Sequence, residues 1–293
     1  MKRAAFVLLG VLVLAPCVQA QPTREQVRHT VGYTAKLKRE DGGFAPAAGV
    51  EKSSLRATSS ALRALRYFGF ELGLEDNAKC EKFVASCFDK ASGGFADVPG
   101  GKPDVTTTAV GLMAVVELKM PREPYEAPAV KYLSDNAKTF DEIRIAVAGL
   151  EAVEKKSSQA AAWTETVLKM ANDDATFGKG DGKARDTGGA TVALLRLGAK
   201  LEKKDEVLKA LNAGQRKDGG FGKADAKTSD LESSYRVTRC YHMLKAKPDA
   251  EKLAAFVASC RNEDGGYGVT PGEKSSASAA YYAATITHWL AEK

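Results

Sequence analysis

Apolar positions recur along the chain with the three-to-four-residue spacing of amphipathic helices. The helical stretches come in pairs. The first of each pair carries Lys, Glu and Asp on one face, which suits an outer layer: residues 24–39, 75–90, 124–138, 158–172, 203–216 and 249–261. The second is poor in charge and rich in Ala, Ser and Thr, which suits an inner layer: residues 54–70, 104–119, 141–155, 186–199, 230–246 and 275–291.

A short motif separates the two helices of each pair. Its clearest copies have two glycines before an aromatic residue, as in Gly219-Gly220-Phe221. Weaker copies, Thr139-Phe140 and Thr176-Phe177, lack the glycines. The aromatic positions 44, 95, 140, 177, 221 and 267 are separated by 51, 45, 37, 44 and 46 residues. A period of this length indicates stacked repeats, none of which buries its apolar face alone.

The motif has a simple physical interpretation. Two glycines permit positive φ angles and a tight reversal, and we expect the aromatic ring to pack between helices. A residue that can accept hydrogen bonds from free helical N–H groups then begins the inner helix. The predicted N-caps are Asp104, Asp141, Asp186, Asp230 and Ser275.

These patterns predict an all-α fold, since no stretch of useful length alternates like a strand. A chain of this size can bury one large core, and we expect residues 21–293 to form a single domain. Six helix pairs are compatible with an open solenoid or a closed ring, and repetition alone does not distinguish the two.

The N-terminus has the pattern of a secretory signal peptide. Lys2 and Arg3 precede an apolar segment at 4–16, and residues 18–20 (Val-Gln-Ala) resemble a cleavage site. We therefore expect residues 1–20 to be removed and the mature protein to be periplasmic or extracellular. A lipoprotein anchored at Cys17 is the alternative, although Pro16 fits it poorly. No later stretch is apolar and long enough to span a membrane.

Charge and cysteine content narrow the function further. Loss of residues 1–20 would lower the formal charge from +6 to +4, and no basic stripe interleaved with aromatics indicates nucleic-acid binding. Of the cysteines after residue 20, Cys80 and Cys87 are too far apart on one helix for a disulfide. We expect these two, with Cys240 and Cys260, to be buried free thiols rather than zinc ligands.

The segments 83–103 and 256–273 carry a family resemblance. Both begin Phe-Val-Ala-Ser-Cys and continue through Gly-Gly-aromatic, and they resemble the repeat of protein prenyltransferase β subunits, most of all the type II geranylgeranyl transferase. The resemblance covers about residues 24–290. It implies an α/α toroid of six helix-hairpin repeats, with twelve helices in two concentric rings around a central cavity. Terpene cyclases share this repeat, so it implies a fold more firmly than an activity.

In that family a zinc ion, held by Asp, Cys and His, activates a thiolate. The resemblance places Asp230 at the Asp position, but Glu232 at the Cys position and Ala279 at the His position. Asp230 and Glu232 are thus candidate metal ligands in an incomplete set. The alternative is that Asp230 is an N-cap and Glu232 a first-turn acid that faces the helix dipole. We expect no cofactor, and zinc only if the family's chemistry is retained.

The family's diphosphate pocket is also only partly matched. Lys227 stands at the position of a family Lys, and Lys223 lies beside the position of a family Arg, so both are candidate ligand-binding residues. Asp186 replaces a His that contacts diphosphate, and Arg236 replaces an aromatic residue of the isoprenoid tunnel.

Two functions remain open. The first is a diverged, exported toroid that binds a small-molecule or protein ligand in its central cavity without an intact zinc site. The alternative is a protein prenyltransferase that transfers an isoprenoid to a cysteine thiol. The incomplete zinc set and the predicted export favour the first.

Overall fold

The computed structural model describes residues 21–292, so the predicted signal peptide lies outside the described residues. Twelve α-helices alternate between two layers. The outer helices are α1 (Arg24–Lys36), α3 (Leu74–Ser86), α5 (Glu126–Asn136), α7 (Ala160–Leu168), α9 (Lys204–Ala213) and α11 (Ala250–Ser259). The inner helices are α2 (Leu55–Tyr67), α4 (Val105–Glu117), α6 (Phe140–Ala152), α8 (Lys183–Arg196), α10 (Leu231–Met243) and α12 (Ala277–Ala291).

The inner helices form a closed ring. Each packs against the preceding and the following inner helix, and α12 packs against α2. Residues near the same ends of neighbouring helices are in contact: Arg66 of α2 pairs with Glu117 of α4, and Arg196 of α8 pairs with Glu151 of α6. The inner helices therefore run in parallel. The α/α toroid is confirmed, and the open solenoid is wrong.

The outer layer closes as well. The Thr30 hydroxyl of α1 donates a 2.7 Å hydrogen bond to the carbonyl oxygen of Gly265, in the last glycine loop. The chain's first helix thus contacts its last repeat. Residues 24–39 and 275–291 lie together, as a closed ring requires.

The Gly-Gly-aromatic motif forms a tight hairpin that folds back onto the end of the outer helix. In the second repeat this hairpin contains two strands of two residues each, β1 (Phe88–Asp89) and β2 (Gly94–Phe95), which pair antiparallel. The first glycine of the motif has a positive φ, +91° at Gly219. A Cβ there would lie 2.0 Å from the carbonyl oxygen of Lys252, so the position requires glycine for both conformation and space.

Five of the six motif aromatics are buried as predicted, and four of these five are held by a bond that the sequence pattern did not reveal. The backbone amide of the aromatic residue donates to a hydroxyl on the following inner helix. These pairs are Phe44–Thr58 at 2.9 Å, Phe95–Thr108 at 3.0 Å, Phe177–Thr187 at 2.9 Å and Phe221–Ser234 at 3.0 Å. The Thr and Ser residues of the inner helices therefore satisfy buried loop amides, in addition to being small.

The third copy of the motif departs from this pattern. Phe140 is not in a loop but is the first residue of α6, and it is only partly buried. Thr139 caps that helix and accepts from the amide of Glu142. The predicted N-cap Asp141 is therefore wrong by two residues and lies in the first turn.

Two other predicted caps are also displaced. Helix α8 begins at Lys183, which places Asp186 inside its first turn, and Ser276 rather than Ser275 caps α12. Asp104 and Asp230 are confirmed as N-caps of α4 and α10. Cap position depends on where the loop delivers the chain, and the loops of these repeats differ in length.

The four cysteines after residue 20 are confirmed as free and buried. Burial raises the pKa of the Cys80 thiol to about 12, so it behaves as an apolar core group.

Within residues 21–292, none of the helices combines the length and apolar character needed to cross a bilayer.

Candidate functional site

The inner ring encloses a cavity of about 670 Å³, within the size range of small-molecule sites. Its lining is both apolar and polar. Helices α4 and α6 contribute apolar side chains, Val110, Met113, Val116, Ile145 and Ala148, between charged ones such as Glu117, Arg144 and Glu151. Helices α10 and α12 contribute tyrosines and arginines: Tyr235, Arg236, Arg239, Tyr281 and Tyr282. The cavity therefore suits a ligand that has an apolar part and a polar group.

Arginine dominates the polar lining. Seven arginines line the cavity, at positions 56, 63, 66, 144, 196, 236 and 239. Five carboxylates accompany them, at positions 117, 141, 142, 151 and 232. The wall thus carries an excess of positive charge, which favours an anion.

Towards the N-terminal ends of the inner helices, arginines and carboxylates pair. Glu232 lies 2.5 Å from Arg236, 3.7 Å from Arg185 and 3.7 Å from Lys223. Burial raises the pKa of Glu232, but Arg236 and Arg185 outweigh it and lower the pKa overall. This end of the cavity neutralises its own charge.

Towards the C-terminal ends, two arginines have carboxylate partners. Arg196 lies 2.7 Å from Glu151, and Arg66 lies 2.8 Å from Glu117. Burial and the neighbouring charge of Arg239 lower the pKa of Arg196. Burial raises the pKa of Glu117 despite its arginine neighbours. Arg196 and Glu117 are the buried members of these two pairs, with 6% and 11% of their side chains exposed.

Arg63 and Arg239 are the exception to this pairing. Neither forms a salt bridge with a carboxylate of the described chain. The guanidinium carbon of Arg63 lies 4.2 Å above the ring of Tyr281, and that of Arg239 lies 4.6 Å above Trp289. Both side chains are partly buried, and both line the cavity. Their charges are therefore held by aromatic faces and phenol oxygens.

Two tyrosines complete this cluster. The phenol oxygens of Tyr235 and Tyr281 are 2.7 Å apart. Arg239 donates to the Tyr235 oxygen from Nε at 3.1 Å and from Nη2 at 2.8 Å. We call Arg63, Arg239, Tyr235 and Tyr281 the arginine–tyrosine cluster.

Of the four site residues predicted from the sequence, Lys223 lies 3.7 Å from Glu232, whereas Lys227 lies apart from them. Lys223 lies at the cavity rim beside Glu232. Lys227 instead lines a separate groove of about 880 Å³ on the outer surface, next to Lys209 and Asp218. The structure therefore separates the two predicted ligand-binding lysines, and their role stays a prediction.

The predicted metal ligands have other partners. Asp230 caps α10: one carboxylate oxygen accepts from the Ser233 amide at 2.7 Å and the other from the Ser233 hydroxyl at 2.8 Å. Glu232 is held by cations, and Ala279 is fully buried and offers no donor atom. In residues 21–292, no group of three His, Cys, Asp or Glu side chains is placed to hold a metal ion. This donor set does not fit the zinc ion that the fold family implies.

Comparison with known proteins identifies the family. The model of the prenyltransferase alpha-alpha toroid domain matches residues 1–76, 71–143 and 143–292. The chain belongs to this family. No curated protein matches this toroid in sequence.

Solved structures with the same fold perform different chemistries. The geranylgeranyltransferase-I of Candida albicans in complex with GGPP has a TM-score of 0.67 and 16% identity, over 79% of this chain and 82% of that chain. The type II terpene cyclase MstE from Scytonema, without ligand, has a TM-score of 0.62 and 9% identity, over 91% and 96%. A glycosidase has a TM-score of 0.58 and 13% identity, over 91% and 95%. At these identities the likeness establishes the fold of this toroid and not its activity.

The site residues predicted from the sequence did not include the arginine–tyrosine cluster, although the sequence contains a signal for it. Arg63 and Arg239 stand on helices that are otherwise poor in charge and were predicted to face inward. A charged residue on such a helix must find a partner or line a cavity. The phenol contacts depend on which helices become neighbours, which the sequence pattern does not specify.

Proposed function

We propose that this toroid is an exported binding protein, diverged from the transferases that share its fold, and that its cavity takes a small acidic ligand with an apolar body. It works without zinc. The acidic group sits at the arginine–tyrosine cluster, and the apolar body lies along α4 and α6.

The observation that carries this proposal is the unbalanced charge of Arg63 and Arg239. Removing a guanidinium from water without a counter-ion is costly, and the other cavity arginines named above have carboxylates within salt-bridge distance. A ligand carboxylate or phosphate would supply the missing counter-ion, and two guanidinium groups offer the forked donors that such groups prefer.

The apolar part of the cavity lining supports the second half of the proposal. Val110, Met113, Val116 and Ile145 line the same cavity as the tyrosines. Burying hydrocarbon there yields about 25 cal/mol per Å², so an apolar body adds affinity that a simple inorganic anion lacks. Long-chain carboxylates meet both requirements and serve as probes.

Calorimetric titration with dodecanoate and with dodecanol, which lacks the charge, tests the proposal. We expect the wild type to bind dodecanoate at least about tenfold more tightly than the alcohol, since a charge-assisted hydrogen bond contributes about 1.5–3 kcal/mol. Arg63→Met and Arg239→Met should each remove this preference. Arg28→Met, an exposed change on α1, is the control and should keep it. Equal affinity for acid and alcohol in the wild type would contradict the proposal.

Export rests on the pattern of residues 1–20 alone. Lys2, Arg3 and the apolar segment that follows support it. Expression of the full chain in a bacterium with two membranes, followed by fractionation and N-terminal sequencing, tests it. The expected product is periplasmic and begins at Gln21. A full-length cytoplasmic product would contradict export and leave the cavity proposal intact.

A further inference from the structure

When both phenols of the arginine–tyrosine cluster are neutral, the cluster has more hydrogen-bond donors than protein acceptors. The pair then has two phenol protons but only one bond between the two oxygens. The Tyr235 oxygen already accepts two N–H groups from Arg239. In the described chain, no further acceptor is hydrogen-bonded to either phenol. One of the two protons therefore has no protein acceptor.

A neutral pair must donate this proton to water in the cavity, whereas loss of one proton leaves both phenol oxygens paired within the protein. A phenolate at Tyr235 accepts the two Arg239 N–H groups and the proton of Tyr281, three charge-assisted hydrogen bonds at one oxygen. It also places a negative charge beside Arg63 and Arg239, which have no carboxylate partner. A phenolate at Tyr281 would be stabilised less, because the nearest Arg239 nitrogen lies 3.5 Å from that oxygen.

We infer that Tyr235 is a tyrosinate in the ligand-free protein, and that an acidic ligand replaces it as the counter-ion of Arg63 and Arg239. The second clause rests on the proposed function. When the ligand anion enters, Tyr235 takes up one proton from solvent, and its O–H then donates within the pair. Binding of the anion is thus coupled to uptake of a proton, and the charge of the cluster stays constant.

The charges around Tyr235 support this assignment. Burial raises its pKa, but the guanidinium groups of Arg239 and Arg63, with the hydrogen bond from Tyr281, outweigh burial and lower it. Burial raises the pKa of Tyr281, which stays protonated as the donor. The charged and titratable groups around the pair are Arg63 and Tyr67 from α2, Arg144 from α6, Arg196 from α8, Arg239 from α10 and Tyr282 from α12, and Glu232 and Arg236 of α10 are neighbours of Tyr282.

The tyrosinate itself is measured without any ligand. Its ultraviolet absorbance band is followed up to about pH 8.5, where an ordinary phenol with a pKa of about 10 is still protonated. We expect one tyrosinate per chain in the wild type and none in Tyr235→Phe. Tyr282→Phe, which removes a cavity phenol that has no hydrogen bond to an arginine in the described chain, should keep it. Folded wild type without tyrosinate at this pH would overturn the inference.

Arg239→Gln provides a second test that retains both phenols. It removes the donors that hold the phenolate, so the tyrosinate band should shift to at least about tenfold lower proton concentration, one pKa unit or more. Circular dichroism establishes that this variant is folded. A folded Arg239→Gln with an unchanged band would overturn the assignment of the phenolate to this contact.

Titration with dodecanoate distinguishes the inference from the proposed function. We expect the tyrosinate band to disappear as dodecanoate binds, and the calorimetric heat to vary with the ionisation enthalpy of the buffer as uptake of one proton requires. Binding with an unchanged band would overturn the exchange of counter-ions while the proposed function stands. A tyrosinate band in a protein that does not bind dodecanoate would contradict the proposed function and leave the tyrosinate established.

Discussion

The backbone amide of Ala277 donates a 2.9 Å hydrogen bond to the carbonyl oxygen of Pro46. Ala277 is the first residue of α12, where helical N–H groups have no partner within the helix. The first residues of α2 and α10 make the same kind of bond to the loop of the following repeat, Leu55 to Asp97 at 2.7 Å and Leu231 to Val269 at 2.8 Å. Closure therefore repeats a contact already used between consecutive units, with the last helix bound to the first loop.

The buried aromatic of each hairpin should contribute strongly to stability. Phe221 is fully buried among apolar side chains, so we expect Phe221→Ala to cost about 3–5 kcal/mol, as for truncation of a core phenylalanine. Phe70→Ala, at a site that is 40% exposed, is the control and should cost far less. Denaturant unfolding of both variants measures the difference. Equal stability of the two would mean that the hairpin aromatics do not hold the layers together.

The hydroxyl that accepts from the aromatic amide should matter independently of the ring. Thr108→Val keeps the shape of the side chain but leaves the buried Phe95 amide without its acceptor, which costs about 1–3 kcal/mol. Thr166→Val removes a hydroxyl from the exposed part of α7 and should be close to neutral. If chemical denaturation gives the same loss for both, the repeated hydroxyl contact has no structural role.

Substitution of the first glycine of the motif by alanine should destabilise the protein more than the same substitution at a glycine that also has a positive φ but has free space around an added Cβ. Gly219 has φ +91° and lies against the backbone of Lys252, whereas Gly69 has φ +79° and nothing within 4 Å of an added Cβ. Gly69→Ala should lower the free energy of unfolding only by the cost of placing alanine in the left-handed conformation, about 1–2 kcal/mol. Gly219→Ala should cost more, because the layers must also separate. Thermal unfolding of the two variants tests this, and a smaller loss at Gly219 would contradict the close packing of loop and outer helix.

Purified protein should contain no stoichiometric zinc. Both carboxylate oxygens of Asp230 already accept hydrogen bonds, and Glu232 is paired with Arg236. Carboxylates alone are also poor ligands for a zinc–thiolate site. Elemental analysis after purification without added metal measures this. One zinc per chain would contradict it and would restore the transferase as the better hypothesis.

The architecture was predictable because it depends on local signals. Helical periodicity, the recurring Gly-Gly-aromatic motif and the small residues of the inner helices all concern neighbours in sequence, and each is confirmed. Prediction failed where loop length decides the outcome. Asp141 and Asp186 lie inside the first turns of their helices, because α6 begins at Phe140 and α8 at Lys183, after shorter loops than in the other repeats.

The cavity was less predictable for a different reason. The family comparison directs attention to Lys223, Lys227, Asp230 and Glu232 on one stretch of chain. The arginine–tyrosine cluster instead joins residues from α2, α10 and α12, and it exists only because the ring brings the first inner helix beside the last. A contact made by ring closure leaves no local pattern in the sequence.

In the proposed complex, an acidic group binds between Arg63 and Arg239. A crystal structure of the protein with dodecanoate carrying a terminal bromine tests it most directly, since anomalous scattering locates the far end of the chain. We expect the carboxylate within hydrogen-bond distance of both guanidinium groups and the bromine beside Val110 or Ile145. A carboxylate in the outer groove beside Lys209 and Lys227, or a cavity that stays empty while that groove is filled, would contradict it.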